Sequence, residues 1–157
     1  MYLDSAIIVK LLVREPESSW FDDKVMNHEL WSSELARAEV RSAILTKERA
    51  KLVSVAQRKS AFIRFDALCE TEALRFHPLS SAVVQHASEL LVMCHPEVAL
   101  RSLDAIHLAT AMMHPRGPLC TTDIKLRAAA QLLFRRLGRG GFGFVWHLKL
   151  VGCDFGN

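Results

Sequence analysis

The chain has 157 residues, half of them hydrophobic and 24% charged, the make-up of one folded domain of ordinary size; this excludes an intrinsically disordered tract and leaves little room for two full domains. Its formal net charge of +3 permits a nucleic-acid partner without demanding one, so any basic footprint has to be local. Four cysteines without a CxxC pair disfavour a zinc site or a disulfide framework and fit a reducing cytoplasm, and neither a signal peptide nor a membrane span is expected.

In chain order, Met1-Tyr2-Leu3-Asp4 reads as a strand, and Ser5 to Val13 is apolar enough for a buried helix. The Glu15-Pro16 step interrupts it before a second helix near 16–27. Leu30 to Ser33 is a short strand, 34–49 a clear amphipathic helix, and 53–74 a longer one with Val55, Phe62, Ile63, Phe65 and Leu68 among its apolar positions. The chain turns around 75–79, with a third strand as one reading. Ser80 or Ser81 caps a helix ending near Met93, and Ser102 caps another running to about His114. Pro118 to Thr122 is a strand and 124–136 a helix. Strands and helices alternating in this way predict an α/β sandwich with a mostly parallel sheet, and such sheets bind ligands at the carboxyl ends of their strands.

Four acids stand out by their surroundings. Asp4 closes the first strand and opens a helix with no charge before Lys10; it reads equally well as a helix N-cap. Glu39 lies one turn from Ala36 and from Ala43, on the apolar stripe rather than with Glu34, Arg37, Arg41 and Glu48. A charge there is costly unless it is paired, so it is either a site residue or half of a buried ion pair with an arginine such as Arg101. Asp104 opens a helix that is apolar nearly all round, whose one polar stripe is Asp104, His107 and Thr110. Of these, Asp104 is the candidate site residue, and His107 is read as a core histidine. Asp123 follows the strand Leu119-Cys120-Thr121-Thr122 and serves either as an N-cap or in a site.

Brought together in one cleft, these carboxylates would repel unless cations compensated. Hard oxygen ligands select magnesium or manganese over zinc. A cation so held aligns water for in-line attack at a phosphodiester. No P-loop, GxGxxG, HExxH or GxSxG motif supports a competing chemistry. The glycines at 138, 140, 141 and 143 follow a helix, the wrong order for a phosphate-cradling loop that opens one.

At these residues the chain resembles the PIN-domain ribonucleases, above all the VapC-type toxins of bacterial toxin–antitoxin pairs. The resemblance runs from residue 1 to about 133. It rests on Tyr2-Leu3-Asp4-Ser5 with the following AIIVKL, on SSELARAEVRSAI around Glu39, on LRSLDAIHLA around Asp104, and on Thr121-Thr122-Asp123 with Leu126 and Ala129-Ala130. It implies a three-layer sandwich with four or five mostly parallel strands flanked by helices. It further implies Mg2+- or Mn2+-dependent endoribonuclease activity, with Asp4, Glu39, Asp104 and Asp123 as catalytic acids and metal ligands. Ser5 and Thr121 match the hydroxyl positions beside those acids that orient ligands or waters. The implied partners are an RNA substrate, a cognate VapB-type antitoxin whose C-terminal segment fills the groove, and a second copy in a homodimer, in the cytoplasm and away from any membrane. The alternative is a catalytically weakened PIN-like module that acts by binding antitoxin or RNA.

Residues 1–157 are read as one domain, and 137–157 as an ending that departs from the family. There an Arg/Gly stretch, read as a solvated loop with a phosphate-contacting arm as the other choice, precedes an alternating strand at 144–151. An altered reading frame produces endings of this kind. Lys10, Arg14, Arg37, Arg41 and Arg101 are the basic candidates for RNA phosphates; most read as ordinary solvated positions, and Arg101, near Asp104, is the substrate-binding choice.

Overall fold

The computed structural model describes residues 1–14, 18–115 and 117–137. The Glu15-Pro16 step, the glycine-rich stretch from 138, the strand expected at 144–151 and Cys153 lie outside the described residues. Four strands, β1 (Tyr2–Leu3), β2 (Leu30–Ser33), β3 (Leu74–His77) and β4 (Leu119–Cys120), alternate with seven helices among the described residues. These are α1 (Ser5–Leu12), α2 (Ser18–Val25), α3 (Leu35–Arg49), α4 (Val55–Glu70), α5 (Ser81–Cys94), α6 (Ser102–Met113) and α7 (Ile124–Leu137). The sheet is parallel throughout, in the order β3-β2-β1-β4.

Strand period explains the layering. Successive side chains leave a strand on opposite faces, and Tyr2 pairs with Leu119 while Leu3 pairs with Cys120. Tyr2 and Leu119 therefore enter one core, with Val83, Leu90, Leu108, Leu126 and other buried side chains of α5, α6 and α7. Leu3 and Cys120 enter the other, with Ile7, Ile8, Phe21, Val40, Ile44 and Phe65 from α1 to α4. The expected sandwich of a parallel sheet between two helical layers is what the chain forms.

Local chemistry sets the element ends. Ser80 caps α5 by accepting from the Val83 N–H at 3.3 Å. Ser54 caps α4 with a reciprocal Gln57 bond, so that helix begins two residues later than its apolar pattern suggests. It ends at Glu70, short of the expected 74, because Glu72 takes a left-handed φ of 55° and turns the chain into β3. The expected Ser102 cap is corrected: Ser102 lies inside α6, and Arg101 occupies the cap position with no side-chain hydrogen bond to the helix. No described helix is long and apolar enough to cross a membrane. Cys69, Cys94 and Cys120 form no disulfide among the described residues.

Candidate active site

The strand order places the carboxyl ends of β1 and β4 side by side, with the start of α1 leaving one and the start of α7 the other. The Asp4 N–H donates to the Cys120 carbonyl at 3.3 Å, which ties the two strand ends together. Beside them lie the first turns of α6 and the middle of α3. A cleft of about 390 Å³ opens there, lined by all four acids, Asp4, Glu39, Asp104 and Asp123, together with Ser5 and His107. Ala6, Ala43 and Leu103 give it an apolar flank.

Asp4 is 5% exposed and acts as N-cap as well as lining the cleft. Its Oδ1 accepts from the Ile7 N–H at 2.9 Å, and its Oδ2 accepts a short hydrogen bond from the Thr121 hydroxyl. Burial nevertheless pushes its carboxyl above the usual aspartate range, against the pull of those bonds. Thr121 has a second partner, accepting from the Asp123 N–H at 3.0 Å, so one hydroxyl links two of the acids. Asp123 caps α7 through Oδ1, which accepts from the Leu126 N–H at 2.8 Å. Both N-cap readings of these aspartates are thus met alongside their place in the cleft.

Asp104 differs. Its Oδ2 is buried and has no hydrogen-bond partner among the described residues. Burial first, then the negative charge of Asp123, pushes its carboxyl up; Arg101 and His107 only partly offset this, and Glu39 adds to it. Glu39 leans the other way. Burial raises it, but hydrogen bonds from His107 and Ser5 outweigh that and hold it below the ordinary glutamate range.

The partner of Glu39 is not the arginine considered from the sequence. Its Oε2 takes the Ser5 hydroxyl and lies 2.7 Å from Nε2 of His107. Arg101 is exposed, and it is not among the residues lining the cleft, although its charge reaches Asp104. His107 is the residue that sequence reasoning undervalued. It is 3% exposed, lines the cleft, and engages Ser5, Glu39 and the Tyr2 hydroxyl. The signal was present in the polar stripe it shares with Asp104, three residues before it on a helix otherwise almost wholly apolar. Arg37 and Arg41, candidates for phosphate contact, pack on aromatic rings instead. The first lies 4.2 Å from the Phe76 centroid, and the second pairs with Asp66 at 2.5 Å and lies over Phe62.

As the side chains lie, no three acidic, imidazole or thiol groups among the described residues surround a single point closely enough to hold a metal ion. That does not conflict with a hard cation, because magnesium takes only one or two carboxylates directly and keeps several of its waters. The donor set fits such an ion: all-oxygen carboxylates, an orphaned buried oxygen on Asp104, and like charges pressing on one another. Asp104 would hold it, with Asp4, Glu39 and Asp123 completing the shell around it, in part through water.

Residues 1–132 match the PIN domain family. The chain is 41% identical over 136 residues to Ribonuclease VapC46 of Mycobacterium tuberculosis, covering 85% of this chain and 92% of that one. It is 31% identical over 141 residues to Ribonuclease VapC35 of the same species, covering 85% and 91%. Among solved structures, VapBC2 of Rickettsia felis bound to a DNA fragment from its promoter superposes with a TM-score of 0.61 at 17% identity, over 98% of both chains. FitAcB of Neisseria gonorrhoeae superposes with a TM-score of 0.62 at 18% identity, over 83% of this chain and 92% of that one. With its parallel sheet, its acidic cleft and these matches along most of its length, the chain belongs to the PIN-domain family.

Proposed function

We propose that the chain is a metal-dependent endoribonuclease, the toxin of a VapBC-type pair, hydrolysing RNA phosphodiesters in the cleft between α1, α3, α6 and α7. The observation that carries this reading is the convergence of Asp4, Glu39, Asp104 and Asp123, spread over 120 positions of sequence, on one cleft. The kinship to named VapC ribonucleases supports RNA as the class of substrate it would take.

The cation, Mg2+ or Mn2+, would neutralise charge on the phosphate and align a water for in-line attack. The residues divide the remaining work by their environment. Asp104, its oxygen unpartnered and its carboxyl pushed up by burial and by Asp123, gains most from a cation. Glu39, kept ionised by its two donors, is the acceptor suited to the proton of the attacking water. The water oxygen bonds to phosphorus as the bond to the leaving oxygen breaks. Ser5 and Thr121 orient Glu39 and Asp4, and Arg101 meets an RNA phosphate at the rim. The cognate partner is a VapB-type antitoxin that fills the same cleft, and the working form is a homodimer in the cytoplasm.

The test is cleavage of a structured RNA with Mg2+ or Mn2+. Activity is expected to disappear with EDTA and to fall by about a hundredfold or more in Asp4→Asn and in Asp104→Asn, consistent with loss of a charge that stabilises the transition state. Full activity in both variants would refute the assignment. Tight antitoxin binding by a protein with no affinity for cation would favour the binding-module alternative.

A further inference from the structure

Four elements meet at one imidazole. His107, in the second turn of α6, is buried, yet neither ring nitrogen faces an apolar group alone. Nδ1 lies 2.8 Å from the hydroxyl of Tyr2 on β1. Nε2 lies 2.7 Å from Oε2 of Glu39 on α3 and 3.1 Å from Oγ of Ser5 at the start of α1. The carboxylate oxygen only accepts, so Nε2 carries a proton and donates it there. Tyr2 is itself fixed: 1% exposed, on the central strand beside β4, its ring edge-on to the imidazole. The two donors on Glu39 both engage Oε2, which leaves Oε1 outside the network.

We propose that His107 is a positioning residue for Glu39: anchored at Nδ1 by Tyr2, it pins the carboxylate through Oε2 and leaves Oε1 to the cation and its waters. A free glutamate side chain gives up rotamer freedom when it is fixed, and here that freedom is already spent before any cation arrives. A core histidine that merely fills space would need partners too, but nothing would require them to be the acid of the cleft. The arrangement parallels the way groups behind a metal's direct ligands set the ligands' orientation, where loss of one typically weakens metal binding 10–100-fold.

This inference rests on the metal-dependent reading of the cleft, so it is tested on cation binding as well as turnover. The full chain is titrated with Mn2+ by calorimetry, with free Mn2+ followed by electron paramagnetic resonance. His107→Leu is expected to weaken Mn2+ binding by roughly 10–100-fold. His107→Gln, whose amide N–H can stand where Nε2–H stands, should retain affinity within about threefold, a rescue that a role in packing alone would not produce. Turnover of RNA should show kcat falling in His107→Leu with KM for RNA little changed. Tyr2→Phe, which removes only the anchoring oxygen and keeps the imidazole, should weaken Mn2+ binding about 2–10-fold, at the mild end of the same scale.

Parental Mn2+ affinity in a folded His107→Leu protein would overturn the proposal and leave the metal reading intact. If that variant does not fold, parental affinity in Tyr2→Phe overturns it equally. Absence of Mn2+ binding by the unsubstituted chain would overturn the metal reading itself, and the proposal with it.

Discussion

Asp104 holds the sharpest conflict in the cleft, since it is a carboxylate with an orphaned buried oxygen and acidic neighbours. Its folded-state pKa is raised, so the folded protein keeps a proton that the unfolded chain has released. The stability contributed by that protonated form is complete below the ordinary aspartate value of about 3.9 and is lost as pH rises through the raised one. Asp4 titrates in the same direction, with burial as the first cause. Replacing Asp104 by asparagine makes the neutral form permanent. In cation-free buffer at pH 7, Asp104→Asn is expected to raise Tm by a few degrees, and the gain should shrink near pH 4; scanning calorimetry at the two pH values checks it. An equal or lower Tm at pH 7 would mean that the aspartate costs the fold nothing. These residues are legible in sequence singly and, with the family resemblance, as a set expected in one cleft. An aspartate after a short strand is visible in sequence as a cap or a ligand, and both Asp4 and Asp123 prove to be caps that also line the cleft. What pairs with Glu39 was not legible, because the choice between Arg101 and His107 depends on how α6 turns towards α3.

At the level of elements, pattern and caps carry most of the information, and the misjudged boundaries have identifiable causes. The strand β2 is legible at both ends. The ends of α4 are not, because a capping box at Ser54 and a left-handed Glu72 override an apolar repeat that continues past them. The arginines of α3 were read by charge alone, as solvated positions or phosphate contacts. Their guanidinium groups lie over Phe62, Phe65 and Phe76, so Arg37 and Arg41 fasten α3 to α4 and β3. Because Ser54 does not line the cleft, the α4 cap separates stability from function. Ser54→Ala is expected to cost about 1 kcal/mol in urea unfolding, with RNA cleavage under native conditions unchanged. Loss of activity in a folded Ser54→Ala protein would tie α4 to the chemistry.

For the whole molecule, the alternation of strands and helices was enough to predict a parallel sheet between helical layers, but not the order β3-β2-β1-β4 that sets β1 against β4. That order is a long-range choice, made by which strands bury their faces best, and it brings Asp4 next to Thr121. A ligand that binds only the folded state stabilises the whole fold. Mg2+ at a hundred times its dissociation constant should therefore add about 2.7 kcal/mol, seen as a rise in Tm that Asp104→Asn loses.

The central strand sends Tyr2 to one helical layer and Leu3 to the other, and the acids divide in the same way: Asp4 leads into α1 on one side of the sheet, Asp104 rides α6 on the other. The mouth between them thus works as a gauge of how the two halves are seated. A single extra methyl group wedged under α6 would alter its width long before the protein melted, so hardiness and catalytic fitness can be traded against each other from deep within the interior.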